Sequence, residues 1–277
     1  MPKKNEAFLT SFKSKKSLGQ NFLICRNIIL KIVNSLAICK NSGVLEIGPG
    51  FGSLTKVLAH SAQKVVAVEI DKRLVGYLED FFKNYQSITI IHGNILNLDI
   101  EEFIKEHFYN FKTRHLVGNL PYYITTPILI HFLPFAKYFK TIVFMVQKEV
   151  AQRILAVPNT KDYSSLTLFV NFYTKVEKIA DVSRNVFKPK PKVDSTILKF
   201  LPKNDYIFPH EEFLFKVIRA AFAYRRKTIL NSLLDKLQIK KDALQEVFLK
   251  LKIDPTRRAE TFTLDAFVLL AKELRKI

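Results

Sequence analysis

Acidic side chains are scarce in this sequence. Over 277 residues, 25 Asp and Glu stand against 44 Lys and Arg, a formal charge of +19 and a pI near 9.8. A chain so one-sided repels itself unless it works against a polyanion, which implies nucleic acid or an anionic membrane surface as partner. Long apolar runs are missing as well. None approaches the roughly 18 residues that a membrane span needs, so nucleic acid leads and no membrane is expected. Cysteine is nearly absent: Cys25 and Cys39 lie in apolar stretches with no CxxC or CxxH partner. That excludes a zinc site or a disulfide framework, predicts no metal, and reads as two reduced core residues of a cytoplasmic protein. The Lys-rich leader over 1–17 lacks the apolar segment of a secretory signal. Internal repeats and low-complexity segments are lacking too. Hydrophobic residues nevertheless make up 48% and charged ones 25%, so a folded core is expected rather than disorder.

Along the chain, short apolar strands alternate with helix-length segments. Ile28, Ile29, Ile32, Val33 and Leu36 share a helical face, and Val44–Ile47 is a strand that ends in a glycine turn and opens a helix over 53–62. Lys64–Ile70 is a second strand, with Asp71 placed to cap the next helix. Further strands are predicted over 87–92, 114–118 and 141–146. This alternation implies parallel pairing, hence an α/β fold with a doubly wound, mostly parallel sheet. After about Lys175 the pattern changes. Residues 175–182 and 194–201 read as paired strands flanking Phe187-Lys-Pro-Lys-Pro-Lys192, whose prolines forbid helix. A linker follows over 202–209, then helices near 211–223, 227–237, 241–251 and 263–275. The predicted organisation is a catalytic domain over 1–201 and a smaller all-helical domain over 202–277.

Three strand ends carry chemistry. Glu46-Ile-Gly48-Pro-Gly50-Phe-Gly52 is a strand-to-helix turn whose glycines let a ligand approach the backbone. It lacks both the dinucleotide spacing GxGxxG and the Lys-Ser/Thr of a phosphate loop. Glu69 closes the next strand, where a carboxylate can accept from both hydroxyls of a ribose. Gly93-Asn94-Ile95 ends the third, where an amide can meet an adenine amine. An adenosine-containing cofactor is implied. Glu69 and Asn94 could otherwise be turn or cap residues.

The fourth strand ends in Asn119-Leu-Pro121-Tyr122. The lone pair of adenine N6 is delocalised into its ring, so the amine attacks poorly unless it is oriented. Hydrogen bonds from its two N–H groups to the Asn119 side-chain oxygen and to a backbone carbonyl near Pro121 would aim that lone pair at an incoming methyl. Tyr122 can stack on the base, worth roughly 1–3 kcal/mol, and Phe187 is a candidate second face or else a loop aromatic covering the core. With S-adenosyl-L-methionine (AdoMet) as donor, the sulfonium is already activated, and positioning can supply most of the catalysis. An adenosine in structured RNA must be unstacked to enter.

These residues closely resemble the ribosomal RNA adenine dimethyltransferase family, over about Leu18 to Ala271. The resemblance rests on Gly19-Gln-Asn-Phe-Leu23, Glu46–Gly52, Val68-Glu69, Asn119–Pro127 and Val146–Val150, then on Phe187–Ser195, Phe222–Thr228 and Asp254–Glu260. It implies AdoMet-dependent N6,N6-dimethylation of two adjacent adenosines in a 3′-terminal hairpin of small-subunit rRNA, on an assembling ribosomal subunit; a monomer is the default expectation, which no motif sets. It also implies cofactor contacts at Asn21, Leu23, Gly48, Glu69, Asn94 and Asn119. The family usually has Asp where this chain has Asn94, so weakened or re-tuned cofactor affinity is expected. Lys13, Lys15, Lys16, Arg225, Arg226, Lys227, Arg257 and Arg258 are candidate phosphate contacts that position RNA without reading its sequence. A large-subunit rRNA methyltransferase, a non-catalytic assembly or transcription factor and a DNA N6-adenine methyltransferase are the competing readings.

Overall fold

The computed structural model describes residues 12–203 and 208–277, so most of the basic leader lies outside the described residues. The chain packs as two compact units, one of residues up to Ala151 with Thr174–Pro202, the other of Gln152–Tyr173 with Lys203–Ile277. Residues 152–173, expected in the first domain, therefore cluster with the C-terminal helices. Their helix-length apolar pattern between two strands reads as one more crossover, and only packing reveals where they are buried.

The first unit contains β1 (Phe22–Leu23), α1 (Arg26–Leu36), β2 (Ser42–Ile47), α2 (Ser53–Ser61), β3 (Lys64–Glu69), α3 (Lys72–Phe82) and β4 (Ile88–His92). It continues with α4 (Ile100–Phe108), β5 (Thr113–Asn119), α5 (Thr125–Phe132) and β6 (Thr141–Gln147). The chain leaves through α6 (Lys148–Leu155) and α7 (Ser165–Tyr173) and returns as β7 (Thr174–Val182), β8 (Phe187–Lys188) and β9 (Ser195–Pro202). Seven strands form one sheet in the order β4-β3-β2-β5-β6-β9-β7. The first five run parallel, while β9 is antiparallel to β6 and β7 to β9. This is the mostly parallel α/β sheet that the strand–helix alternation predicts, closed on one side by the expected strand pair.

Strand β2 is buried along its whole length, as a strand covered on both faces must be. Ile29, Ile32, Val33 and Leu36 form the buried stripe of α1, spaced as one face of a helix. They join Val44, Val117, Val143 and Ile197 in a single apolar cluster. Asp71 caps α3 by accepting from the Arg73 N–H. Two expectations fail. Cys39 is exposed and Cys25 only half-buried, because both sit beyond the ends of α1 rather than on its apolar stripe. Phe187 is not in a loop: it pairs with Leu23 across the small β1–β8 ladder and enters the core.

In the second unit, α7, α8 (Glu211–Ala221), α9 (Ile229–Leu237), α10 (Lys241–Lys250) and α11 (Leu264–Leu274) surround Leu214, Leu233, Phe248 and Phe267. Thr228 and Thr263 cap α9 and α11, each removing an orphan N–H. Among the described residues, no helix is long and apolar enough to cross a membrane.

One buried group in the sheet is poorly matched to its surroundings. His115 on β5 is fully buried, and neither ring nitrogen has a hydrogen-bond partner among the described residues. Burial, helped by the charge of Lys140, pushes its pKa down to about 4. The unfolded chain therefore takes up this proton at higher pH than the folded one, so stability falls as pH drops below the ordinary histidine range and levels off near the folded pKa. Urea unfolding should show His115→Leu losing about 2 kcal/mol less than the parent between about pH 8 and pH 5. Equal losses in the two proteins would show that His115 is not the acid-sensitive group.

Candidate active site

Strands β2, β3 and β4 step one way across the sheet and β5 and β6 the other, so the chain reverses direction between β2 and β5. A crevice opens at such a switch point, beyond the carboxyl ends of the strands. Here it is a cleft of about 1070 Å³, its open mouth included. Asn21, Leu23, Gly48, Glu69, Asn94 and Asn119, scattered over nearly a hundred positions, all line it.

The floor is the glycine turn after β2. Gly48 has φ +65° and Gly50 φ +60°, a region that costs other residues strain. A Cβ built on Gly48 would meet no protein atom within 4 Å, so the space beside its backbone belongs to the cleft. At Gly50 a Cβ would come 2.9 Å from the Phe22 ring. Glu69, at the end of β3, is anchored rather than free: Oε2 accepts from the Gly50 N–H at 3.2 Å and Oε1 from the Asp71 N–H at 2.9 Å. Each oxygen keeps a second lone pair for a hydroxyl. Burial raises the Glu69 pKa, against the pull of those backbone N–H groups. Asn94 does cap a turn, accepting from the Leu96 N–H at 3.1 Å. Its oxygen retains one acceptor site and its NH₂ two donors, so capping and ligand contact are compatible. The donor set fits an adenosine-type cofactor: a carboxylate for a ribose, an amide for a purine edge and bare backbone between them.

The fourth strand end is set by a contact over 98 positions. The Asn119 amide nitrogen donates to the Asn21 carbonyl at 2.9 Å, which leaves the Asn119 oxygen as the acceptor available to the cleft. Pro121 differs from expectation. Its carbonyl already accepts from the Thr125 hydroxyl and from the Ile124 N–H, both at 3.2 Å. Pro121 thus shapes the turn, and its own oxygen is committed to it. The Tyr122 hydroxyl is 2.8 Å from the buried Ser195 hydroxyl on β9, a tether that fixes the ring at the cleft wall. Burial holds the Tyr122 phenol above its ordinary pKa. Phe187 is 4% exposed and packed with Leu23, Val33 and Ile197. Its ring is core in this structure, because pairing with β1 turns it inward. The cleft aromatics are instead Phe22, Phe51, Tyr122 and Tyr123.

Asp71, expected only to cap a helix, is also the hub of a cluster beside the cleft. Asp71 receives Arg73 through two nitrogens, at 3.0 and 2.6 Å, and Gln20 Nε2 at 2.9 Å. Arg73 in turn donates to the Lys13 carbonyl at 3.1 Å and lies over the Phe12 ring. Arg73 above all keeps the Asp71 carboxyl far below the usual carboxylate range. Lys15 lies 3.8 Å from Asp71 at half exposure, so its charge is already partly compensated. Lys13 is exposed, and the side chain of Lys16 lies outside what is described. The signal for this hub was present in Gly19-Gln20-Asn21 and Asp71, yet nothing in the sequence says that residues 51 apart meet.

In the helical unit the two basic runs come together. The Ile229 N–H donates to the Arg257 carbonyl at 2.8 Å, joining the segment after Arg225-Arg226-Lys227 to Arg257-Arg258. All five side chains are exposed. Arg225 donates to the Lys161 carbonyl, and Lys227 lies 3.8 Å above the Tyr224 ring. Arg257 is partly spent on the fold, bonding the Thr261 hydroxyl and carbonyl and covering Phe262.

Comparison with known proteins agrees with this geometry. The family model described as ribosomal RNA adenine dimethylase matches residues 11–276. A ribosomal RNA small subunit methyltransferase A from Anoxybacillus flavithermus is 45% identical over 271 residues, covering 96% of this chain and 92% of the relative. Its counterpart from Bacillus cytotoxicus is 43% identical over 268 residues, covering 95% and 92%. Among solved structures, a dimethyladenosine transferase from Plasmodium falciparum superposes with TM-score 0.80 at 28% identity, covering 92% of this chain and 98% of that one. The 23S rRNA methyltransferase ErmE gives 0.67 at 26% identity, covering 92% and 100%.

Proposed function

The chain belongs to the ribosomal RNA adenine dimethylase family, and on that premise we propose how its cleft performs the reaction. The protein is an AdoMet-dependent methyltransferase that dimethylates adenine in small-subunit rRNA. When bound, AdoMet supplies a methyl group activated by the positive sulfonium. Glu69 holds the ribose hydroxyls, Asn94 the adenine edge, and the backbone at Gly48 gives room to the rest of the cofactor.

The observation that carries the reading is the committed amide nitrogen of Asn119. With one Nδ2 N–H given to Asn21, the amide is fixed in one orientation, and Oδ1 is the acceptor it offers the target amine. One N–H of adenine N6 goes to Asn119 Oδ1. The Pro121 oxygen being occupied within its turn, the second goes to the adjoining Leu120 carbonyl. Two such bonds turn the lone pair out of conjugation and toward the methyl, so orientation replaces a strong base. Tyr122, tethered by Ser195, stacks on the base; with Phe187 in the core, the proposal assigns no second face to it. In each transfer the amine exchanges one N–H, its proton released to solvent, for the methyl; after the first it keeps a single N–H, which one of the two acceptors holds for a second.

The finer substrate is two adjacent adenosines in a 3′-terminal hairpin, met on an assembling small subunit in the cytoplasm by a monomer. The exposed cations of the helical unit contribute phosphate contacts, led by Arg226 and Arg258. Relatives named for the small subunit at 43–45% identity favour this over the 23S rRNA reaction for which ErmE, at 26%, is named.

Incubation with AdoMet and immature small subunits, followed by nucleoside mass spectrometry, should yield N6,N6-dimethyladenosine in the small-subunit rRNA. The same nucleoside formed only in a parallel incubation with immature large subunits would instead place the protein with the other branch. Asn119→Ala should abolish transfer while AdoMet binding stays within roughly tenfold, about 1.4 kcal/mol; near-parental turnover would remove Asn119 from its role. Replacing Arg225, Arg226 and Lys227 together should weaken RNA binding and flatten its dependence on salt, because fewer counterions are released. An unchanged salt slope would place the RNA path elsewhere.

A further inference from the structure

Tyr123 is a cleft aromatic for which the mechanism above has no use. Phe22, Phe51, Tyr122 and Tyr123 all line the cleft, and the first three are committed. Phe22 and Phe51 pack on each other with centroids 4.2 Å apart, and Phe12 sits edge-on to both. Tyr122 is tethered to Ser195. Tyr123 is 53% exposed, and among the described residues its hydroxyl takes no hydrogen bond and its ring meets no other aromatic or cation. A ring left half in water beside a substrate cleft gains the benefit of burial only when something covers it.

The place of this ring is built into the fold. Tyr122–Ile124 is a single 3-10 turn, in which successive side chains point about 120° apart. The turn that sends Tyr122 toward Ser195 therefore sends Tyr123 elsewhere. One side of the Tyr123 ring rests on Gly19, where a Cβ would come 3.0 Å from Cδ1 and 3.2 Å from Cε1. Gly19 belongs to the segment whose Asn21 carbonyl holds Asn119, so the exposed ring and the acceptor for the target amine share one support. What covers the ring is set by what must stand next to the target base. An adenosine drawn into the cleft leaves its stack, and its neighbour loses the same stack. In the substrate read above, that neighbour is a second adenosine, which waits outside while the first is methylated. We propose that Tyr123 is the stacking platform for this neighbouring adenine: Tyr122 takes the base being methylated and Tyr123 the one beside it. The proposal rests on the RNA-adenine reading above and adds a second base subsite to it. Base–tyrosine stacking then replaces part of the base–base stacking that is lost, and it supplies affinity and position without reading hydrogen-bonding edges.

Two variants separate stacking from packing in steady-state methylation of immature small subunits. Tyr123→Leu keeps apolar bulk on Gly19 but has no aromatic face. It should raise KM for the subunits about tenfold with a smaller change in kcat, and without a matching loss of AdoMet affinity. Tyr123→Phe should restore most of that loss. The sequence contains no tryptophan, so Tyr123→Trp creates a single reporter at the subsite. Its emission should be quenched by a hairpin RNA carrying two adjacent adenosines in the presence of S-adenosylhomocysteine. With one of the two adenosines made abasic, the other enters the cleft and the quenching should be lost. Parental KM in Tyr123→Leu overturns the proposal, as does quenching that survives the abasic site. Failure of the parent to methylate the subunits overturns the underlying reading with it. Should Tyr123→Trp fail to fold, the leucine and phenylalanine variants decide alone.

Discussion

The Asn119 amide is fixed with its nitrogen on the Asn21 carbonyl 2.9 Å away, which makes its oxygen the acceptor it offers to the cleft. The methyl-transfer account depends on this bond. A free carboxamide could rotate and offer a donor to the target amine, which would hold its lone pair the wrong way round. The bond also ties the end of β5 to the Gly19–Leu23 segment, so the base side and the cofactor side of the cleft share one support. That segment is steadied in turn by Gln20 on Asp71 and by Leu23 paired with Phe187. Asp71 and Phe187, outside the cleft lining, thereby support the residues that form it.

The cleft joins anchoring with an electrostatic imbalance. Glu46 and Glu69 are two buried carboxyls with raised pKa values, and among the described residues no basic side chain compensates either. Asp71, close by, is heavily compensated by Arg73 and Gln20 and stays ionised. The contrast separates two kinds of acid. Asp71 carries a structural charge whose partners are built in, while the Glu46 and Glu69 pair is left with acceptor capacity facing the cavity. Such an arrangement suits a cationic ligand and disfavours an anionic one. The excess of basic residues elsewhere on the chain answers a different demand, that of a phosphate backbone.

Most of the catalytic unit was legible because the signals are local. Glycine turns, strand-end acids and Asn119-Leu-Pro-Tyr122 announce themselves within a few residues of a predicted strand, and parallel topology gathers them at one edge. What was not legible depends on contacts distant in sequence. Nothing near Asp71 indicates that Gln20 and Arg73 converge on it, and nothing near Pro121 indicates that its carbonyl is taken by Thr125. Phe187 reads as a loop aromatic beside two prolines, yet two residues of ladder with β1 turn it into core. Cys39 lies in an apolar stretch but past the end of α1, where side chains face water. Residues 152–173 fit the strand–helix rhythm locally and are recruited by the helical unit through packing alone.

The account stands on one alignment: adenine by Asn94, ribose by Glu69, the sulfur beside Gly48, and the target amine by Asn119. A crystal structure of the protein with S-adenosylhomocysteine tests it most directly. The account predicts both ribose hydroxyls on the Glu69 carboxylate and the sulfur between the glycine turn and Asn119, whose amide nitrogen still holds the Asn21 carbonyl. A cofactor bound in the reverse sense, or outside this cleft, would contradict it.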